Sequence, residues 1–127
     1  MNLVVNQLTS LDLTGCSNLY SLYLGDNNIS SLDLSPCSNI GTVSIQYNPS
    51  LNITAIPALS FCIFFSTINC ALSSGIIDDI LLALSNSGNS GGNAYFSGGT
   101  NGIPGPTGIS AAAYLTGDAG WTVYYNT

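Results

Sequence analysis

No lysine, arginine, histidine or glutamate occurs among the 127 residues, and the six charged side chains are all aspartate: Asp12, Asp26, Asp33, Asp78, Asp79 and Asp118. An average composition would supply roughly 32 charged side chains at this length. Without a cation the chain cannot neutralise nucleic-acid phosphates or adsorb electrostatically to anionic lipid. Without imidazole or lysine it has no Ser–His or Cys–His pair and no Schiff-base amine. Asp78 and Asp79 are adjacent, so on a helix they point about 100° apart and do not flank one bond as paired carboxylates do. The expectation is a protein that is not an enzyme and carries no cofactor. The missing Lys and Arg also predict resistance to trypsin-like cleavage.

Long apolar runs are missing as well. The densest stretch, Ile53 to Leu72, is broken by Thr54, Pro57, Ser60, Ser66, Thr67 and Asn69, whereas a membrane span needs about 20 predominantly apolar residues. Met1-Asn2-Leu3-Val4-Val5 lacks the basic region of a secretory signal. Disorder is excluded from the other side, because 46% of the chain is hydrophobic and its net charge is only −6. Serine, asparagine, threonine and glycine must supply the solvated surface of one domain with a modest core.

What is present is a repeat. Residues 8–28 read LTSLDLTGCSNLYSLYLGDNN and residues 29–49 read ISSLDLSPCSNIGTVSIQYNP, a period of 21 without a gap. Asp12/Asp33, Cys16/Cys37, Asn18/Asn39, Leu22/Val43, Leu24/Ile45 and Asn27/Asn48 all coincide. Met1, Leu3 and Asn6 fall one period earlier. A period of 19 extends the pattern forward, placing Leu51, Ile53, Ile56, Leu59, Cys62 and Phe64 after Leu32, Leu34, Cys37, Ile40, Val43 and Ile45. A fixed period of this length is the mark of a stacked-repeat architecture.

Asn6, Asn27 and Asn48 share one ladder position, with Thr67 as the nearest equivalent in the last repeat. Their amides are expected to satisfy backbone groups at a bend. Cys16 and Cys37 are expected to stack inward as free thiols, with a Cys16–Cys37 disulfide as the alternative. The cysteine spacings contain no C-x-x-C pair, so no metal site is expected. Asp12 and Asp33 are expected to point outward, stacked with Asn52, and two carboxylates make too thin a shell for calcium.

The spacing L-x-x-L-x-L-x-x-N/C-x-L, with its LDL and Cys-Ser-Asn runs, resembles the leucine-rich repeat family, in particular its short bacterial type. The resemblance covers residues 1–70. It implies an α/β fold: a right-handed solenoid whose L-x-L segments stack as parallel strands. One ladder would be Met1-Leu3, Leu22-Leu24, Val43-Ile45 and Cys62-Phe64, and a second Leu11-Leu13, Leu32-Leu34 and Leu51-Ile53.

After Ser73 the period changes. Ile76, Ile77, Ile80, Leu81 and Leu84 make an apolar helical stripe, predicting a helix over 75–85 with Asp78 and Asp79 favoured by its N-terminal dipole. A strand at Asn93–Ser97, a loop over 98–108, a helix over 109–116 and a strand from Trp121 to Tyr125 complete a helix–strand–helix–strand cap. Residues 71–127 would thus pack on the last coil of residues 1–70 as one structural unit. Pro106 to Gly117, followed by Gly120-Trp121-Thr122-Val123, is similar to a closing segment of small leucine-rich repeat proteins on bacterial surfaces and in tailed-phage virions. The basic residues usual in that segment are absent here.

The repeat pattern is already running at Met1, so the first coil is expected to leave an edge at Met1, Leu3 and Val5 that another chain, another copy or a longer protein covers. Tyr23, Ser44, Gln46, Tyr47, Ile63 and Phe65 are expected to face outward beside the first ladder and to suit protein or carbohydrate contact. The resemblance implies a non-catalytic structural or binding module of an exposed assembly. A phage virion surface, tail or fibre leads, with an adhesion domain of a secreted bacterial surface protein as the alternative. Localisation would be virion, extracellular or cell surface, with protein partners, or a carbohydrate or cell-surface receptor. Asn28-Ile29-Ser30 and Asn52-Ile53-Thr54 are glycosylation triplets that matter only in a eukaryotic secretory pathway.

Overall fold

The computed structural model describes residues 1–127. Strands β1 (Ser21–Tyr23), β2 (Ser31–Asp33), β3 (Thr42–Ser44), β4 (Asn52–Ala55) and β5 (Phe64–Ser66) are followed by helix α1 (Ser74–Asn86), strand β6 (Asn93–Phe96), helix α2 (Pro106–Gly117) and strand β7 (Thr122–Tyr125). The order β1-β3-β5-β6-β7 forms a five-stranded sheet, and β2-β4 a two-stranded one. Every pairing is parallel, so the fold is α/β. Parallel neighbours require the chain to leave the sheet and return in the same direction. The early repeats do this by way of the small sheet, the later ones by way of a helix. Of 62 backbone–backbone hydrogen bonds only 28 lie within helices and strands, so the turns between these short strands carry much of the fold.

Side chains alternate across a strand. Leu22, Val43, Phe65 and Ala94 form one row that points inward, and Leu24, Ile45, Thr67 and Phe96 form the next. The Phe65 and Phe96 rings stack with centroids 6.0 Å apart. A single cluster of 28 buried residues runs from Leu13 to Trp121, so residues 1–70 and 71–127 share one core.

The third repeat is longer than a period of 19 allows. Leu22 faces Val43, but Val43 faces Phe65, and the sheet strand is Phe64–Ser66 rather than Cys62–Phe64. In the small sheet Leu32 pairs with Ile53 instead of Leu51, and Asp33 pairs with Ala55 across a register break. The extra residue enters at this break as a bulge. Asn52 accordingly lies opposite Ser31, not in line with Asp12 and Asp33. The turn bond from Leu19 N–H to Cys16 O, repeated from Ile40 N–H to Cys37 O, recurs as Cys62 N–H to Leu59 O, at 3.0–3.1 Å. Leu59 therefore holds the place of Cys16 and Cys37.

The bends after β1, β3 and β5, and the matching one in the N-terminal segment, are built the same way. Val5, Asp26, Tyr47 and Asn69 have φ of 54°, 58°, 59° and 55°, and their N–H groups donate to Gly25, Gln46, Ile68 and Ser97 carbonyls at 2.9–3.1 Å. That left-handed region costs a non-glycine residue about 1–2 kcal/mol, offset by the side chain that follows. Asn27 Nδ2 donates to Leu3 O and Leu24 O at 2.9 and 3.0 Å, while its Oδ1 accepts from Leu8 N–H. Asn48 repeats this with Leu24 O, Ile45 O and Ile29 N–H. Asn6 Nδ2 donates within its own turn, to Leu3 O and Val4 O.

The next member is Cys70, not Thr67: its Sγ–H donates to Ile45 O at 3.3 Å. Thr67 instead continues the Leu24–Ile45 row, and its buried Oγ1 has no partner. The series resumes at Asn101, whose Nδ2 donates to Thr67 O and Phe96 O and whose Oδ1 accepts from Leu72 N–H.

Helix α1 begins at Ser73, whose Oγ accepts from Ile76 N–H, and buries Ile77, Ile80, Leu81 and Leu84. Asp78 and Asp79 lie beyond its first turn, so its own dipole does not explain them. Asp78 Oδ1 accepts from Gly105 N–H at 2.8 Å and supplies the N-terminus of α2, whose N-cap Gly105 has no side chain to do so. With that acceptor in place α2 starts at Pro106, three residues ahead of the expected 109, and proline suits a first helical position.

Candidate binding face

Opposite the core, the large sheet presents two outward rows. One is Ser21, Thr42, Phe64, Asn93 and Thr122; the other is Tyr23, Ser44, Ser66, Tyr95 and Tyr124. No side chain in either row is charged. Phe64 meets Tyr95 edge-on at 5.9 Å, and Tyr95 stacks on Tyr124 at 5.8 Å. Tyr23 stands on the other side, and the small Ser44 and Ser66 between them form a polar floor. Ser44 Oγ donates to Gln46 Oε1 at 2.7 Å, and Tyr95 Oη to Asn93 Oδ1 at 3.2 Å. Tyr124 remains 59% exposed. The rings are thus ordered by one another while Tyr124 stays in water, an arrangement suited to contact.

Four of the six residues expected on this face lie on it or at its rim: Tyr23 and Ser44 in the row, Gln46 bonded to Ser44, and Tyr47 exposed in the left-handed turn position after β3. Ile63 is exposed just before β5. Phe65 is a correction, since it is fully buried in the core and its neighbour Phe64 faces outward. The periods 19 and 22 differ by three, an odd number, and an odd slip exchanges the two faces of a strand. That slip also hid Phe64 and Ser66. Tyr95 and Tyr124 lay in Asn-Ala-Tyr-Phe and Thr-Val-Tyr-Tyr, where alternation within β6 and β7 is the signal that places them together.

Met1, Leu3 and Val5 lie along the β1 edge. Leu3 N–H donates to Tyr23 O at 2.8 Å, and Met1 O accepts from Tyr23 N–H at 3.0 Å. Met1 and Val5 are exposed, Val5 to 74%, while Leu3 packs partly on the core.

All four cysteines are free thiols. Burial pushes Cys62 up to about 12 and Cys70 up to about 11. Cys37 is raised by burial first, then by Cys16 and Asp33 nearby. The Thr14 and Ser35 side chains first, and then their N–H groups at 2.8 Å, lower the Asp12 and Asp33 carboxyls. No three His, Cys, Asp or Glu side chains gather as a metal site, and no helix is long and apolar enough to cross a membrane. An open groove of about 530 Å³ lies between α1 and α2, but its Ser85 and Ser110 hydroxyls are turned onto the Leu82 and Pro106 carbonyls.

The chain matches no protein-family model, no curated protein and no solved structure.

Proposed function

We propose that the protein is a non-catalytic binding module of leucine-rich-repeat type. In this reading residues 1–70 are the coils of a short solenoid, residues 71–127 are its cap, and the outward face of the large sheet meets a protein partner on an exposed assembly such as a virion or bacterial surface. The observation that carries the proposal is the uncharged face of Tyr23, Ser44, Ser66, Phe64, Tyr95 and Tyr124. Interface centres are enriched in aromatic side chains and depleted of charge. Three rings already held against one another would lose little rotamer freedom on binding. The β1 edge at Met1, Leu3 and Val5, paired on one side only, is the second contact surface of this reading. The second reading, an adhesion domain that meets carbohydrate or a receptor, draws on the hydroxyl and amide groups of the same rows.

A photo-crosslinking side chain placed at Thr122, beside Tyr124, tests the face in the native assembly, with the same group at Asp79 on the exposed side of α1 as the comparison. Crosslinks to one defined partner from 122, absent from 79 and lost in the Tyr95→Ala variant, are expected. Equal labelling from both positions, or labelling from 79 alone, removes the sheet face as the binding surface. A glycan or receptor as the captured species, in place of a subunit of the same assembly, selects the adhesion reading.

A further inference from the structure

We infer that Asn101–Gly102 is a self-modifying site, silent while the fold is closed and irreversible once it opens. It is the one Asn-Gly pair in the chain. Glycine offers no side chain to hinder approach of its nitrogen to the preceding side-chain carbonyl, and its backbone samples the needed geometry freely. The Gly102 nitrogen attacks Asn101 Cγ. The new N–C bond replaces the Cγ–Nδ2 bond, and the amide leaves as ammonia with the proton from Gly102. Water then opens the cyclic imide at either carbonyl, giving aspartate or isoaspartate. Solvent water is the only co-reactant and nothing is oxidised.

The fold demands both members of the pair. Asn101 continues the series of Asn27, Asn48 and Cys70, and its amide bridges Thr67 O at 2.8 Å, Phe96 O at 2.9 Å and Leu72 N–H at 3.0 Å. Gly102 passes so close to α1 that a Cβ would lie 2.5 Å from Ser74 N and 2.6 Å from Ser74 Oγ. A side chain at 102 would therefore collide with α1, and replacing Asn101 would forfeit the three bonds of its amide.

The same contacts keep the pair inert. The Gly102 N–H is committed to Leu72 O at 2.7 Å, and the buried Asn101 amide is fixed by its three partners. Reaction needs both released together, which only opening of this region allows. Conversion also prevents return. A carboxylate at 101 would set a negative oxygen against the Thr67 and Phe96 carbonyls with no proton to give, and an uncompensated buried charge is costly. Isoaspartate adds a backbone atom where Thr100 and Gly102 N–H groups must reach Cys70 O and Leu72 O.

The test incubates the full chain in mildly alkaline buffer, native and in denaturant, and follows intact mass and the chymotryptic peptide spanning 97–114. The expected result is the mass gain of one amide-to-acid exchange at residue 101 in the denatured sample. Native conversion should be slower by roughly 10³-fold or more, the folded-to-unfolded ratio of an ordinary domain. On removing denaturant, unmodified molecules should recover near-ultraviolet circular dichroism and modified ones should not. Equal rates in both samples, denatured conversion spread evenly over the other asparagines, or full refolding of modified molecules would each overturn the inference. Because the readout uses the natural sequence, it does not depend on whether an Asn101→Asp variant folds.

Discussion

Cys70 occupies the place of Asn48 one repeat later. Its thiol donates to the Ile45 carbonyl as the Asn48 amide donates to the Leu24 carbonyl. A thiol is a weak donor, so the substitution keeps one bond of the amide's set and gives up the rest. Removing Asn48 leaves the buried Ile29 N–H unpaired, at about 1–3 kcal/mol, whereas Ile45 O accepts from both side chains and keeps one donor when either is removed. Asn48→Ala should lower unfolding stability by roughly 3–5 kcal/mol, since three bonds are lost. Cys70→Ala gives up one bond without stranding its acceptor and should cost about 0.5–1.5 kcal/mol, and Cys70→Asn should lie nearer to wild type than Cys70→Ala does. Denaturant midpoints at equal m-value check the order, and a reversed order removes Cys70 from the series.

Buried thiols make the fold sensitive to alkali. With folded values near 12 for Cys62 and 11 for Cys70 against 9.0 for a free thiol, both states are protonated below 9 and stability there is independent of these groups. Above 9 the unfolded chain loses protons that the folded chain keeps, so stability falls as pH rises from 9 toward 11–12. The slope should approach about 1.4 kcal/mol per pH unit for each thiol. Thermal melts across this window should show the decline, and Cys62→Ala, compared with its own value at neutral pH, should flatten it. A thiol reagent under native conditions should modify half-buried Cys16 first and reach Cys37, Cys62 and Cys70 only on unfolding.

How much of this could be read in advance depends on range. The 21-residue identity of residues 8–28 and 29–49 identifies the inward rows through Val43 and Ile45, because the apolar spacing and the backbone period agree there. At Thr54–Ala55 a bulge adds one residue. Apolar side chains at 51, 53, 56, 59 and 62 recur at intervals of two or three, so a shifted alignment matches nearly as well as the true one. The error propagated to Phe65 and concealed half of the outward face. The Asp78–Gly105 bond was hidden for another reason: its partner is a backbone N–H 27 residues away, which no local pattern marks. The α1 stripe at Ile77, Ile80, Leu81 and Leu84 was legible because helix period and burial coincide.

Asp78 should therefore behave as a cap for a helix it does not belong to. Asp78→Ala removes the acceptor for Gly105 N–H and should destabilise the protein by about 1–2 kcal/mol, the usual cost of a lost N-cap. Asp78→Asn keeps an acceptor oxygen without the charge and should fall between the two. Asp79→Ala, on the exposed neighbour, should stay within about 0.5 kcal/mol. Chemical denaturation of the three variants decides, and an equal effect at 78 and 79 would refute the cap.

The outward rows should separate binding from stability. Tyr124 is exposed and stacks only on Tyr95 among the rings, so Tyr124→Ser should cost no more than about 1 kcal/mol. Phe65→Ala, one row inward, should cost about 3–5 kcal/mol. If Tyr124→Ser were as damaging as Phe65→Ala, the outer rings would be structural and the contact reading would fail.

Trp121, the single tryptophan, reports on the closing segment. It is buried, its Nε1–H donates to Asn89 O at 3.1 Å, and its ring lies over Gly92, where a Cβ would come within 2.5 Å of it. Gly92 also joins β7 through its carbonyl, which accepts from Thr122 N–H at 2.9 Å. Gly92→Ala must displace either the indole or the start of β6, and overpacking of this kind costs about 1–3 kcal/mol. The expected signature is a lower melting temperature together with red-shifted tryptophan emission, because the indole moves toward water. A Gly91→Ala variant separates sterics from backbone freedom: nothing stands within 4 Å of a Cβ there, but its φ is +69°, so it should lose stability without moving the emission. Unchanged emission in Gly92→Ala would mean that the backbone yields and the indole stays, which would place the rigid part of the closing segment at Trp121 and not at the strand beneath it.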